Sequence, residues 1–470
     1  MAYLKRELGL FDVVNLVIGT IVGADIYIAA AFGAGYLGPS SIFAWLLAGL
    51  MAITIALCFA ECSSLLPRVG GPYAYAKEAF GDFVGFMAGW ALLIASWSAI
   101  AVFPLAFVSY LLYFYPTMPQ WLQVIVKILF ILILTLINYY GVKEAGRLND
   151  VLTILKLAPI LLFTLFGIVY FLFNPGLFLS NFTPLVPLGW GGMGSALVLI
   201  FWAYVGFELV TVPSDEIKDA KKTIPQAIIL GMGVIIIFYL VTNLVILGAV
   251  PWMELSTSSA PLSLAGSALL GGFGAILLTV GALFSISGSD EAGILSSARI
   301  PYAMAGDGLL PGFFARVHPE YGTPYVALAL QGIFTGVASI LGSISQLIIL
   351  SVFTLLFCYL ITSLAVFPLK KKYDGGINLP WLIPVLGVVI SLYMMTQCKF
   401  NEILTGVLII VLGIPIYVKY SPGEEIKSVK REIELGRGIF ARWIRAPDRF
   451  LVHFLRRLAV LIRKIRLWVS

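Results

Sequence analysis

Long apolar segments separated by short polar connections dominate the pattern of hydrophobic and polar positions along this chain. Twelve segments approach or exceed the roughly 20 apolar residues that a helix needs to cross the hydrocarbon core of a bilayer. The pattern therefore predicts an all-α membrane protein with 12 transmembrane helices, called spans 1 to 12, at residues 11–33, 40–65, 83–113, 121–141, 149–173, 192–213, 227–250, 264–298, 326–341, 344–369, 379–396 and 402–419.

Composition agrees with this prediction. Of the 470 residues, 60% are hydrophobic and only 11% are charged, whereas the apolar share of a soluble domain is nearer one half. Span 1 lacks a convincing cleavage site and is the first of many spans, so it is not expected to be a cleaved signal peptide.

Basic residues occur in alternate connections, which predicts the orientation. Lys and Arg stay on the cytoplasmic side in short loops, and they lie before span 1 and then after every second span, at Lys5, Arg6, Arg68, Lys77, Lys143, Arg147, Lys218, Lys221, Lys222, Arg299, Arg316 and Lys370 to Lys372. We therefore expect a multi-pass protein of the plasma membrane with both termini in the cytoplasm.

The positive charge is concentrated in the last 50 residues. Residues 421–470 hold 12 Lys or Arg against five Asp or Glu, a net +7, while the whole chain carries +6. Between Asp448 and Trp468 the basic and apolar residues fall on opposite helical faces, which predicts a basic amphipathic cytoplasmic tail on the anionic lipids of the inner leaflet. Nucleic acid is disfavoured as a partner, because a tethered helix of this kind already has a membrane to bind.

Metal sites and enzyme chemistry are not indicated. The four cysteines, Cys58, Cys62, Cys358 and Cys398, have no histidine nearby and are interpreted as free core thiols. The two histidines lie in a predicted loop and in the tail. No nucleophile with its base and no phosphate-binding loop is visible, so we expect no metal, no cofactor and no enzymatic activity.

Ionisable residues inside the spans are costly and usually functional, and five of them are singled out as candidates. They are Asp25 in span 1, Lys156 in span 5, Glu208 in span 6, and Asp290 and Glu291 in span 8. Because neighbouring residues on a helix point in different directions, only one of Asp290 and Glu291 is expected to face the interior.

Glycines interrupt spans 1 and 6 at comparable depths. Span 1 contains IGTIVGADIYIAAAFG at 18–33, and span 6 contains AYVGFE at 203–208. Glycine lowers the cost of leaving helical geometry, and interrupted helices in corresponding positions of two halves indicate a transporter's binding site at the bilayer midplane. The alternative is that these glycines allow close helix packing.

Three stretches together resemble the amino acid, polyamine and organocation permeases: FAECSSLLPRVGGPYAYAKEAFGDFVGFMAGW at 59–90, FWAYVGFELVTVPSDEIKDAKKTIPQAI at 201–228, and the region 281–324 with GALFSIS and SSARIPYAMAGDGLLPGFFARVHPEYGTP. The resemblance covers residues 8–420. It implies a five-plus-five inverted repeat, about 8–173 and 192–369, with broken helices 1 and 6 and two extra helices at 379–419.

The resemblance also implies a substrate site at the two breaks. In the family, amides of the unwound helix 1 hold the substrate carboxylate and carbonyls of helix 6 receive its amino group. The corresponding positions are Gly23, Ala24, Asp25 and Ile26 in span 1 and Ala203, Tyr204, Val205, Gly206 and Phe207 in span 6. Ala24 lacks the usual hydroxyl, and Asp25 replaces the second glycine. A carboxylate there repels a substrate carboxylate unless it is protonated, paired or turned away.

Lys156 resembles a lysine that in part of the family occupies the position of the sodium ion in related transporters, where its protonation couples transport to the proton gradient. Asp25, Glu208 and Asp290 are the other candidate coupling residues, and Ser285 of GALFSIS is expected near the coupling site. The alternatives are that Lys156 lies about 10 Å deep and reaches back to the interface, and that Glu208 bonds amides freed by the break.

These observations predict a secondary active transporter for amino acids or related organic amines that works by alternating access, coupled to protons and independent of sodium. One alternative is a permease or exchanger for polyamines or other cationic amines, in which Asp25 binds an ammonium group. Another is a sensor that binds a metabolite without transporting it. Asp25 either pairs with Lys156 or faces the cavity, and the sequence leaves both open.

Overall fold

The computed structural model describes residues 8–68, 70–140, 142–212, 214 and 217–421, without the side chains of 142–154. Apart from Ser421, the predicted basic tail lies outside these residues, and its amphipathic character and lipid contacts stay a prediction.

The described residues form helices and no strand, which confirms the all-α class. The α-helices are α1 Leu10–Ile21, α2 Ala24–Leu37, α3 Ser41–Leu65, α4 Pro72–Phe80, α5 Asp82–Ile100, α6 Val102–Phe114, α7 Gln120–Tyr140, α8 Val142–Phe173, α9 Pro175–Asn181, α10 Met193–Phe201, α11 Ala220–Ala249, α12 Trp252–Thr257, α13 Pro261–Ser297, α14 Arg299–Gly306, α15 Tyr325–Leu341, α16 Ile344–Lys372, α17 Leu382–Thr396, α18 Phe400–Val411 and α19 Gly413–Tyr420.

Among the described residues, nine helical segments are long and apolar enough to cross a membrane, and α1, α15 and α17 are shorter apolar helices. Several helices expose apolar side chains along one face, as α7 does with Ile125, Leu129, Ile133 and Leu136, each more than 40% exposed. In water such a face would be unfavourable, whereas lipid tails accept it. The chain is therefore a multi-pass membrane protein, and the count of 12 spans and the inverted repeat remain predictions.

Spans 1 and 6 are both broken, and the two breaks touch. α1 ends at Ile21, and Gly23 (φ −138°, ψ −140°) separates it from α2. After α10, a 3-10 turn over 202–204 is followed by Val205 and by Gly206 at φ 128°. A β-carbon on Gly206 would lie 2.9 Å from the carbonyl oxygen of Thr20. Glycine is required at Gly206 both by this backbone conformation and by the close approach of the two chains.

Two expectations about these helices are corrected. Asp25 was expected in an unwound segment, but Ala24, Asp25 and Ile26 already form the first turn of α2, where the amide of Ile26 donates to the carboxylate of Asp25. Span 8 was predicted as one helix over 264–298. Instead α13 reverses direction at Gly271 (φ 60°), so that Ser263 hydrogen-bonds Thr279 and the polypeptide backbones touch at Gly266 and Gly274.

Four short helices were not predicted: α4, α9, α12 and α14. Each lies in a connection between predicted spans. The helices that surround the breaks pack in pairs, α13 against α8, α11 against α3, α16 against α5 and α1 against α11. This packing places the two breaks in the middle of the molecule.

Candidate functional site

A cavity lies at the two breaks. Helices α5, α6, α13 and α16 complete its wall with mostly small or apolar side chains, including Ala95, Ser96, Ala99, Phe103, Ser289, Gly293, Ser351 and Leu355. Such residues carry no signal in the sequence, because small and apolar side chains are equally common on the lipid-facing and cavity-facing sides of membrane helices. Only the rotation of each helix about its axis decides which of them reach the cavity.

Five of the predicted substrate-site and coupling residues line this cavity: Gly23, Asp25, Val205, Gly206 and Glu208. The other predicted positions at the breaks, Ala24, Ile26, Ala203, Tyr204 and Phe207, are fully buried outside the cavity wall. Tyr204, for example, donates a 3.0 Å hydrogen bond to the carbonyl oxygen of Trp45.

The carboxylate of Asp25 is bonded to the backbone beside it. Its Oδ1 accepts hydrogen bonds from the amides of Gly23 at 2.8 Å and Ile26 at 2.7 Å, and the hydroxyl of Tyr239 approaches Oδ2 at 3.5 Å. These amides belong to the start of α2, where N–H groups have no partner within the helix. None of the ion pairs among the described residues joins Asp25 to Lys156.

Glu208 repeats this arrangement at the second break. Its Oε2 accepts a 3.0 Å hydrogen bond from the amide of Gly206 and a 2.7 Å hydrogen bond from the hydroxyl of Tyr359. Each break therefore has a glycine followed two residues later by an acid that binds the glycine's own amide. The expectation that Glu208 bonds freed amides agrees with this geometry, and Glu208 also lines the cavity.

Lys156 is completely buried, so it does not reach back to the membrane interface. Its ammonium donates hydrogen bonds to the carbonyl oxygen of Gly19 at 2.6 Å and to Oγ of Ser289 at 3.3 Å. It also lies within electrostatic range of Asp25 and Glu291. The lysine thus occupies the junction of α1, α8 and α13, next to the cavity rather than in its wall.

Two serines of α13 bind backbone carbonyls at the end of α1. Ser289 donates to Val22 at 2.9 Å, and Ser285 donates to Gly23 at 3.3 Å. These carbonyls follow the last turn of α1, where C=O groups lack partners within the helix. Ser289 therefore lies beside Lys156, and Ser285 lies one turn away on the same helical face. Ser289 was not among the predicted residues.

Asp290 and Glu291 are both buried in the protein, at 0% and 1% exposure. The expectation that only one of them faces the interior is wrong, because α13 is surrounded by other helices at this depth. The carboxyl of Asp290 has no hydrogen bond to a described residue, whereas Asn138 is a polar neighbour of the Glu291 carboxyl. Glu291 lies within electrostatic range of Lys156 and Arg299, whereas Asp290, the predicted coupling residue, is not in the cavity wall.

In the part of the chain that the structure describes, no group of three His, Cys, Asp or Glu residues could hold a metal ion. All four cysteines are buried and free. What the site offers is a cavity between helix breaks, two carboxylates in its wall and one buried ammonium behind it.

Comparison with known proteins gives the class of this molecule. The family model described as "Amino acid permease" matches residues 8–418. The chain belongs to this amino acid permease family of the amino acid, polyamine and organocation superfamily. Proteins of this family are transporters and not enzymes.

Several curated relatives are similar over nearly their full length. The chain is 28% identical to the branched-chain amino acid permease BcaP of Bacillus subtilis, over 89% of this chain and 93% of that protein. It is 32% identical to the methylthioribose transporter of the same organism, over 89% of this chain and 94% of that protein. It is 29% identical to the serine/threonine exchanger SteT, also of Bacillus subtilis, over 88% and 96%. These relatives support a transporter of amino acids.

Proposed function

We propose that this chain is a secondary active transporter that moves amino acids or related organic amines across the plasma membrane by alternating access, driven by protons and not by sodium. The observation that supports this proposal most is the position of the Lys156 ammonium, which donates to the carbonyl of Gly19 and the hydroxyl of Ser289 beside the first break.

The surroundings of Lys156 resemble a cation site. Carbonyls at the ends of interrupted helices coordinate sodium ions or protons in transporters, and the C-terminal end of α1 adds the negative end of its helix dipole. Here the charged end of Lys156 takes the place of such a cation. Its deprotonation would remove a positive charge from the junction of α1 and α13, and this would loosen the half-helix that borders the cavity.

The architecture that we propose has 12 spans in a five-plus-five inverted repeat, about 8–173 and 192–369, and both termini in the cytoplasm. The contact between Gly206 and Thr20 supports it, because equivalent breaks of two inverted halves meet at the midplane in such folds. Asp25 and Glu208 are the other proposed coupling groups, since both line the cavity next to the lysine. Asp290 is proposed only as a secondary group, and Glu291 lies closer to Lys156.

A second candidate function is a permease or exchanger for polyamines or other cationic amines. The two carboxylates in the cavity wall favour it, because they are complementary to a cation. A metabolite sensor that does not transport remains the alternative from another class.

Purified protein in liposomes tests the proposal. We expect counterflow of labelled against unlabelled substrate, and accumulation when the outside is made acidic, with equal rates in sodium, potassium and choline salts. Uptake that depends on sodium would overturn the coupling, and binding without counterflow would identify a sensor.

A further inference from the structure

We infer that the substrate of this cavity is an organic amine that carries a positive charge and has no free carboxylate. The inference rests on the proposed transport function and names the substrate class of the same cavity. Its starting point is the set of hydrogen bonds that Asp25 and Glu208 make with the backbone at the two breaks.

The amides that would bind a substrate carboxylate at the first break already have an anionic partner. A helix N-terminus binds anions through its free N–H groups, and at α2 those of Gly23 and Ile26 are both taken by Oδ1 of Asp25, at 2.8 and 2.7 Å. Hydrogen bonds from amides to an ionised carboxylate are strong and favour the charged form. The partner of these two amides is thus a side chain of the protein itself.

A substrate carboxylate would have to displace Asp25 from both bonds and then remain beside it. Two carboxylates in close contact repel each other, and the cavity wall contains no Lys or Arg to offset the charge. Lys156 is not in the wall, and its ammonium already donates to the carbonyl oxygen of Gly19 and to the hydroxyl of Ser289.

The second break also has no free amide for a substrate carboxylate. The amide of Gly206 binds Oε2 of Glu208, which also accepts from Tyr359. Both breaks therefore have carboxyl groups as hydrogen-bond acceptors in the cavity wall. The family resemblance implies free amide donors at the first break instead.

Both acids keep an oxygen for a ligand. Oδ2 of Asp25 has only the 3.5 Å contact with Tyr239, and the hydrogen bonds that Glu208 accepts from Gly206 and Tyr359 both end on Oε2. The rings of Phe103 and Trp202, 6.1 Å apart, line the same cavity. Carboxylate oxygens and aromatic faces are the groups that bind an ammonium.

Matched pairs of ligands test this inference on the full-length protein. Each pair consists of an amino acid and the amine left by removing its carboxylate: leucine with 3-methylbutylamine, phenylalanine with phenethylamine, and ornithine with putrescine. Thermal shift gives binding and liposome counterflow gives transport. We expect the amine of at least one pair to bind about 10- to 100-fold more tightly than its amino acid, as expected for one or two hydrogen bonds to a charged group.

Two opposite results are distinguishable. If amino acids bind as tightly as their amines and show counterflow, the inference on substrate class is wrong while the proposed transport function stands. If neither member of any pair binds or exchanges, the inference and the proposed function both fail.

Two variants test whether Asp25 causes the preference for amines. Asp25→Gly frees the two amides and should reduce or reverse the preference for amines. Asp12→Asn is the matched control, because Asp12 also binds a glycine amide, that of Gly9 at 2.8 Å, but lies outside the cavity. An unchanged preference in Asp25→Gly would overturn the role of Asp25. If that variant does not fold, the wild-type ligand pairs still decide the inference.

Discussion

The ammonium of Lys156 lies 2.6 Å from the carbonyl oxygen of Gly19, in a region from which the structure excludes both solvent and lipid. Gly19 is in the last turn of α1, whose carbonyls have no partner within the helix. The lysine therefore connects the half-helix that borders the cavity to α8, and the bond is strongest while the amine is protonated, because a charged donor binds a carbonyl more strongly than a neutral one.

We predict that Lys156→Ala abolishes uptake driven by a pH gradient but retains counterflow, because a neutral side chain cannot bind and release the coupling proton. Uptake in liposomes with and without an acid exterior measures this. Lys127→Ala is the control, since Lys127 also donates to a backbone carbonyl, that of Ser339 at 3.2 Å, but lies outside the cavity wall. A Lys156→Ala protein that still accumulates substrate with unchanged pH dependence would refute the assignment.

We predict that sodium has no specific effect on the wild-type protein. The Lys156 ammonium would repel a second cation in the same site by roughly 4 kcal/mol at 4 Å and an effective dielectric constant of 20. Initial uptake rates in sodium, potassium and choline salts of equal ionic strength should agree. A requirement for sodium that neither other cation meets would contradict the prediction.

We predict that Asp25→Ala lowers stability more than Asp25→Asn. The asparagine keeps an oxygen for the amides of Gly23 and Ile26, whereas alanine leaves both without a partner, a loss of about 1 to 2 kcal/mol. Thermal unfolding of the two variants in detergent measures the difference. If Asp25→Asn instead costs about 3 to 5 kcal/mol, Asp25 forms a structural charge pair with Lys156 after all.

We predict that Gly206→Ala destabilises the protein by more than the about 1 to 3 kcal/mol expected for backbone strain alone. The added carbon would lie 2.9 Å from the carbonyl oxygen of Thr20, and the φ of 128° is unfavourable for alanine. Gly189→Ala is the control, because Gly189 has φ 67° with nothing within 4 Å of the added carbon. Equal losses of thermal stability in both variants would mean that the contact between the breaks is loose.

We predict that the stabilising effect of Glu78 disappears on acidification. Glu78 is in α4, outside the apolar spans, and hydrogen bonds from Lys372 and Tyr373 hold its pKa below the ordinary value of 4.5. A carboxyl with a lowered pKa contributes stability above its unfolded pKa and loses it as the pH falls through the folded value.

The measurement for Glu78 is the thermal stability of the wild type and Glu78→Gln between pH 7 and pH 3. The two should differ by up to about 1 kcal/mol at pH 7, because the cluster with Arg68 and Lys372 is partly exposed. The difference should vanish below the pKa of Glu78. A difference that persists at pH 3 would assign the effect to packing instead of charge.

The sequence by itself determined the helical class, and it identified the glycines in spans 1 and 6 and the lysine in span 5 as candidates for breaks and for coupling. These are local properties. A bilayer requires about 20 apolar residues per span, and glycine weakens a helix wherever it occurs. An ionisable residue in hydrocarbon is energetically costly and usually functional. Asp25 could be identified as unusual on the same grounds.

Only the tertiary structure decided what these residues contact. The reversal of α13 at Gly271 has no counterpart in the hydrophobic pattern, since both arms are apolar. Whether Asp25 binds Lys156 or its own backbone depends on how α2, α8 and α13 are rotated about their axes. In lipid, a face that packs on protein and a face that meets hydrocarbon are both largely apolar. The sequence therefore could not indicate which side chains surround the cavity.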